Sequence, residues 1–148
     1  MSKKEIQVEI GILKIRDLGF FLDEIIDSGE NSQLVYNLNI GQNSEEEWIE
    51  FILEAQFKNN ITHETFMSGK AATRFFVKNL KNFVSNETIA LPPDAMTTMF
   101  SMSFTHTRAI LSKNMAGTKF DKMYLPIVNP NELLNSFFNE VPQSWSPL

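Results

Sequence analysis

Cysteine is absent from the 148 residues, so the chain has no disulfide framework and no thiolate nucleophile or metal ligand. That absence suits a reducing compartment, and a cytoplasmic location is the expectation. Also missing is any run of about 18 apolar residues, the minimum for a bilayer span. The opening MSKKEIQVEI lacks the apolar core and small-residue cleavage site of a signal peptide, so no membrane insertion is expected. Positive charge is scarce: 13 Lys and Arg against 18 Asp and Glu give a net charge of −5 and a pI near 5.0, with the basic residues scattered. A nucleic-acid surface needs clustered cations that release phosphate counterions, so no nucleic-acid partner is expected. The two histidines, His63 and His106, stand far apart, and neither has a carboxylate or second His at ligand spacing. No metal site is expected. Ser103, His106 and Arg108 sit at helical offsets that do not align a nucleophile, a base and an orienting group, and no Gly-rich loop or elbow accompanies them. No catalytic residue is assigned, and the chain is not expected to be an enzyme.

What the chain does have is 43% hydrophobic residues and a mean hydropathy of −0.17, in a length that suits one domain over residues 1–148. Its first half reads in period two. Ile6, Val8, Ile10 and Ile12 alternate with polar residues, and the phase then jumps to Leu13 and Ile15, which predicts a bulge near Ile12. After IDSGENS, the alternation of Leu34, Tyr36, Leu38 and Ile40 marks a second strand with one solvated face. Ile49, Phe51, Leu53, Ala55 and Phe57 mark a third, and Phe66, Phe75, Phe76 and Val77 belong to a fourth, bent at Gly69. Strands thus occupy about residues 5–80, and short connections predict antiparallel neighbours. Glu45, Glu46 and Glu47 read as a solvated hairpin tip.

The second half is helical. LPPDAM opens a helix, because proline at the first turn loses no hydrogen bond and Asp94 meets the positive end of the dipole. Met96, Met99, Phe100, Ser103, Phe104, Thr107, Ile110 and Leu111 draw an apolar stripe to Met115, and Gly117 supplies the stop. A second helix is predicted over about 130–141, capped by Asn129 with Glu132 three residues on and ended by Pro142. Residues 142–148 form a tail. Between the helices lies GTKFDKMYLPIVNP, too rich in Phe120, Met123, Tyr124, Leu125, Ile127 and Val128 for an ordinary solvated loop. The order of elements defines an α+β class: a four-stranded antiparallel sheet, a long helix, an extended crossover and a short C-terminal helix.

From about Glu87 to Phe138 the chain resembles the SecB family of export chaperones. The resemblance rests on the proline opening of the long helix at Pro92 and Pro93, mid-helix Arg108, the Gly117-Thr118 turn, and Pro126-Ile127-Val128-Asn129 leading into a final helix that carries Phe137 and Phe138. The resemblance implies a SecB-like fold and a homo-oligomer, either a dimer or a tetramer built as a dimer of dimers. It also implies an ATP-independent holdase without cofactors that binds unfolded or precursor polypeptides during protein export. The implied peptide-binding residues are Phe120, Met123, Tyr124, Leu125, Ile127, Val128, Leu134, Phe137 and Phe138. Met99, Met102, His106 and Arg108 are the implied oligomer interface. Met and aromatic side chains suit such a surface because they repack around different guests.

Two departures bear on the partner. Family members that deliver cargo to the SecA translocation motor use acidic sheet positions and a motor-binding tail, whereas KNNITHET is mostly uncharged and QSWSPL is unlike that tail. A dedicated interaction domain with one client, such as an antitoxin, is the alternative. For the loop itself, a groove wall and a cover folded over the core both remain open.

Overall fold

A computed structural model of the chain describes residues 7–26, 32–86, 88–123, 125–126 and 128–140. Four strands, β1 (Ile10–Leu22), β2 (Ser32–Asn43), β3 (Trp48–Asn59) and β4 (Thr65–Val77), form one antiparallel sheet. A 3₁₀ turn at Leu80–Phe83 and a small ribbon of β5 (Val84–Ser85) with β6 (Thr88–Ile89) lead to helix α1 (Pro93–Met115), and helix α2 (Pro130–Glu140) follows the crossover. The sheet, long helix and short helix are those expected; the turn and ribbon carry no periodicity long enough to announce them.

The sheet order is β1-β4-β3-β2, so the expectation that every consecutive pair is adjacent fails at β1 and β2. The two turn-linked pairs, β2–β3 and β3–β4, are neighbours. Nine residues separate β1 from β2, ample to cross three strand spacings of about 4.8 Å each. Strand β1 also begins later and runs further than the alternation suggested, through DLGFFL. Its register against β4 shifts between Ile12 and Lys14, where the phase jump called for a bulge, and again between Asp17 and Gly19. The second bulge hides this half of the strand, because it breaks the alternation on which recognition depends.

Ile49, Phe51, Leu53, Ala55 and Phe57 of β3 are buried, with Ile40 of β2 and Phe75 and Val77 of β4, beneath the buried stripe of α1. Six large apolar residues of that stripe, Met96, Met99, Phe100, Phe104, Leu111 and Met115, each contribute roughly 1.5–3 kcal/mol by leaving water. Pro92 and Pro93 start α1 as read, the Pro92 carbonyl accepting the Ala95 and Met96 amides, and Gly117 at φ 80° turns the chain away. Buried Thr107 satisfies its hydroxyl on the Ser103 carbonyl, one turn back.

Gly69 carries no bulge: the pairing of β3 with β4 runs through it without a shift. Its role is closeness of approach. A Cβ placed there would meet Leu111 Cδ1 at 2.8 Å, and Leu111 is itself buried. Gly69→Ala should therefore lower stability by about 1–2 kcal/mol through overpacking, read as a lower denaturant midpoint. In a Leu111→Ala background the same substitution should be neutral or stabilising. A G69A protein as stable as the parent would contradict this packing.

Candidate functional site

The crossover doubles back along α1. It leaves the C-terminus of the helix through a tight turn, in which the Thr118 amide and hydroxyl both bond the Met115 carbonyl and the Asp121 amide bonds Thr118 O. Phe120 then points into the sheet, its ring 5.0 Å from that of Phe66, and is only 8% exposed. Further along, Arg108 donates from NH2 to the Leu125 carbonyl at 3.0 Å. By Asn131 the chain has reached the start of α1, where the Thr97 hydroxyl donates to Asn131 Oδ1 at 2.9 Å. Asn129 caps α2 as expected, accepting the Asn131 and Glu132 amides. Helix α2 packs on α1 through buried Leu134 and through Phe137, whose ring meets Phe100 edge-on at 6.2 Å.

Between the crossover and the outward side of α1 lies an open pocket of about 490 Å³, lined by Thr105, Arg108, Ser112, Met115, Met123 and Leu125 among others. Its walls mix apolar carbon with the hydroxyls of Thr105 and Ser112, the Arg108 guanidinium and the Asp121 carboxylate. Arg108 also sits 5.5 Å over the Phe104 ring, and Phe104 in turn packs against Tyr36 at 5.4 Å. Burial raises the Tyr36 pKa, an effect the nearby Arg108 charge partly opposes. Tyr36 is a neutral wall at physiological pH.

The structure places the described residues among those read as peptide-binding at two depths. Met123 and Leu125 are half-buried at the rim, while Val128 and Phe137 are half-buried against the core. Phe120 and Leu134 are buried in the chain's own core. Tyr124, Ile127 and the side chain of Phe138 lie outside the described residues. Of the residues read as an oligomer interface, Met99 is 0% exposed and wholly internal, Arg108 holds the crossover, and Met102 is 36% exposed on another side of α1. His106 is half-buried, its Nδ1 sharing a 3.1 Å hydrogen bond with Thr73 Oγ1 of β4. Near it β1 exposes Ile12, Leu13, Ile15 and Leu18. That patch escaped the sequence reading because alternation predicts one buried face, and the two bulges leave both faces of β1 partly open. Among the described residues no cluster of three potential metal ligands occurs, and no helix is long and apolar enough to cross a membrane.

No protein-family model matches the chain, and no curated protein sequence matches it. Solved structures do. One is the Mycobacterium tuberculosis SecB-like chaperone Rv1957, in complex with a ChAD peptide from the antitoxin HigA1 (Rv1956). It aligns with a TM-score of 0.56 and 13% identity, over 81% of this chain and 91% of its own. A Streptococcus agalactiae protein of unknown function aligns with a TM-score of 0.45 and 11% identity, over 84% of this chain and 100% of its own. The chain has a SecB-like α+β fold.

His106 supplies a test of how this side of α1 is packed. Its burial lowers its pKa from the ordinary 6.5, so the unfolded chain binds the proton more readily than the folded one. Stability from this group is intact above about pH 6.5 and declines as pH falls below it. Denaturant midpoints measured between pH 7.5 and 5 should fall more steeply for the parent than for His106→Asn. Equal slopes would contradict the burial of His106.

Proposed function

We propose that the chain is a SecB-like, ATP-independent holdase, and that the channel between α1, the crossover and α2 receives unfolded or partly folded polypeptide. The observation that carries this reading is the crossover itself. Fourteen residues run from α1 back to α2, and among the described residues the side-chain bond that holds their middle is Arg108 to Leu125 O. Met123 and Leu125 are left half-buried beside an open pocket, not sealed in the core. Thioether and aliphatic side chains at such a rim adapt to different guests, and exposed main chain on an extended guest adds bonds that ignore its sequence. The peptide seen on Rv1957 supports a polypeptide guest. The chemistry calls for no cofactor, and the place of action we propose is the cytoplasm.

The same reading includes assembly. The exposed Ile12, Leu13, Ile15 and Leu18 of edge strand β1, with Met102 on the neighbouring side of α1, form the surface on which a second copy would pack, giving a dimer or, by repetition, a tetramer.

A second reading, a module dedicated to one client such as an antitoxin, is favoured by the charge of the sheet. The strand rows facing away from the helices carry Lys14, Arg16, Lys70 and Arg74 against Glu50 and Glu54. A motor that docks through acidic sheet positions would find few here.

An aggregation-suppression assay separates the readings. Without ATP, the parent should slow aggregation of a chemically unfolded substrate, and Met123→Ser with Leu125→Ser should reduce that effect at least about fivefold while the protein stays folded. Phe120→Ser serves as the contrast, since it opens a core cavity and should cost roughly 3–5 kcal/mol of stability. Full suppression by the folded double variant would refute the groove; no suppression by the parent would favour the single-client module.

A further inference from the structure

The register of β1, β4 and β3 arranges the face opposite the helices into cross-strand rows. Lys14 stands opposite Arg74, and Arg74 opposite Glu50; Arg16 opposite Ala72, and Ala72 opposite Ile52; Lys70 opposite Glu54. Arg16 reaches across β4 to bond both oxygens of Glu50 through NH2 at 2.9 Å, while Arg74 donates from Nε to the same carboxylate at 3.2 Å. The crossing lies over Ala72, which is small and 0% exposed. Arg74 also stacks on Trp48, 3.9 Å from the ring centroid. Glu50 is 6% exposed and shared by two cations, so it neutralises one of them at most.

Lys14 and Lys70 have no carboxylate within ion-pair distance among the described residues. Lys14 directly opposite Arg74 is a like-charge cross-strand pair, an arrangement that costs stability unless something else supplies the counter-charge. Each guanidinium carries five N–H donors, and the bonds to Glu50 engage only NH2 of Arg16 and Nε of Arg74. Both side chains remain about a third exposed. The result is a cationic patch with free planar donors on a protein whose net charge is −5. A local surplus on an otherwise acidic body is the complement of a short acidic protein segment. A polyanion such as nucleic acid would meet repulsion from the rest of the surface and needs many more cations. Ile52 at the centre and the exposed Phe21 at the end of the patch provide apolar contact between the charges.

We propose that this face of β1, β4 and β3 docks an acidic segment of a partner protein, at a site separate from the groove on the other side of the sheet. The carboxylates of the segment would pair with Lys14, Lys70 and the free N–H groups of Arg16 and Arg74. Because the face lies across the sheet from the crossover, occupation of one site need not displace the other.

The test uses the full chain and two labelled twelve-residue peptides, one alternating glutamate with valine and one alternating lysine with valine, read by fluorescence anisotropy. At 50 mM salt the glutamate peptide should bind at least about tenfold tighter than the lysine peptide, and the difference should collapse at 500 mM as screening sets in. Lys14→Glu with Lys70→Glu should weaken the glutamate peptide about tenfold while leaving aggregation suppression and the native circular dichroism spectrum unchanged. Three results would overturn the proposal: no preference between the peptides, equal binding by the double variant, or tighter binding of a twenty-nucleotide single-stranded DNA than of the glutamate peptide. A change of native mass in the double variant would overturn it too, by assigning the face to a second copy of the chain.

Discussion

Helix α1 lies on the sheet only because both surfaces thin out where they meet. Strand β4 carries Gly69, Ala71 and Thr73 at its middle, and the facing helix carries Ser103 and Thr107, with Leu111 filling the space a side chain at position 69 would occupy. On either side of this narrow waist the residues enlarge into two apolar clusters. One surrounds Phe51, Phe75, Phe100 and Phe104; the other surrounds Phe57, Phe66, Leu111 and Phe120. The helix is thus gripped at two ends and pressed close between them, which gives 23 residues a defined line along the sheet.

That line sets everything downstream. The crossover has a straight edge to follow, and its three anchors fall at successive heights on α1: the Thr118 turn at the end, Leu125 O at Arg108, and Asn131 at Thr97. Phe120 belongs to the lower cluster and Leu134 to the upper one, so the loop is pinned at both ends by the same two cores that hold the helix. Between them Met123 and Leu125 rest half-buried against the lower cluster and Val128 against the upper one. A region fixed at its ends with a sparsely bonded middle is where adaptability is expected, since local opening there breaks few contacts.

Much of this was legible in the residues. Prolines, Asp94, the three-and-four spacing and Gly117 bounded α1 at Pro93–Met115, and the Asn129 cap placed the start of α2. The alternation of β2 and β3, and the first bulge of β1, were equally visible. What stayed hidden depends on long-range pairing. Sheet order cannot be read where a nine-residue connection permits a strand to cross the sheet, and a second bulge conceals the end of β1. The same holds within the site. Apolar composition singled out the crossover without resolving depth: Phe120 and Met99 face the core while Met123 and Leu125 stand at the rim, because depth depends on which neighbour each side chain meets. The Arg16–Glu50–Arg74 network had no local signature at all, since its members are 34 and 24 residues apart.

In the proposed mechanism the guest lies between the crossover and α1. Site-specific photo-crosslinking tests this directly: a photoreactive side chain placed at position 125, and separately at position 39 on the far face of β2, is exposed to a chemically unfolded substrate without nucleotide. A guest in the proposed groove would give abundant substrate adducts from position 125 and few from position 39. Few adducts from position 125, or equal yields from the two positions, would contradict it.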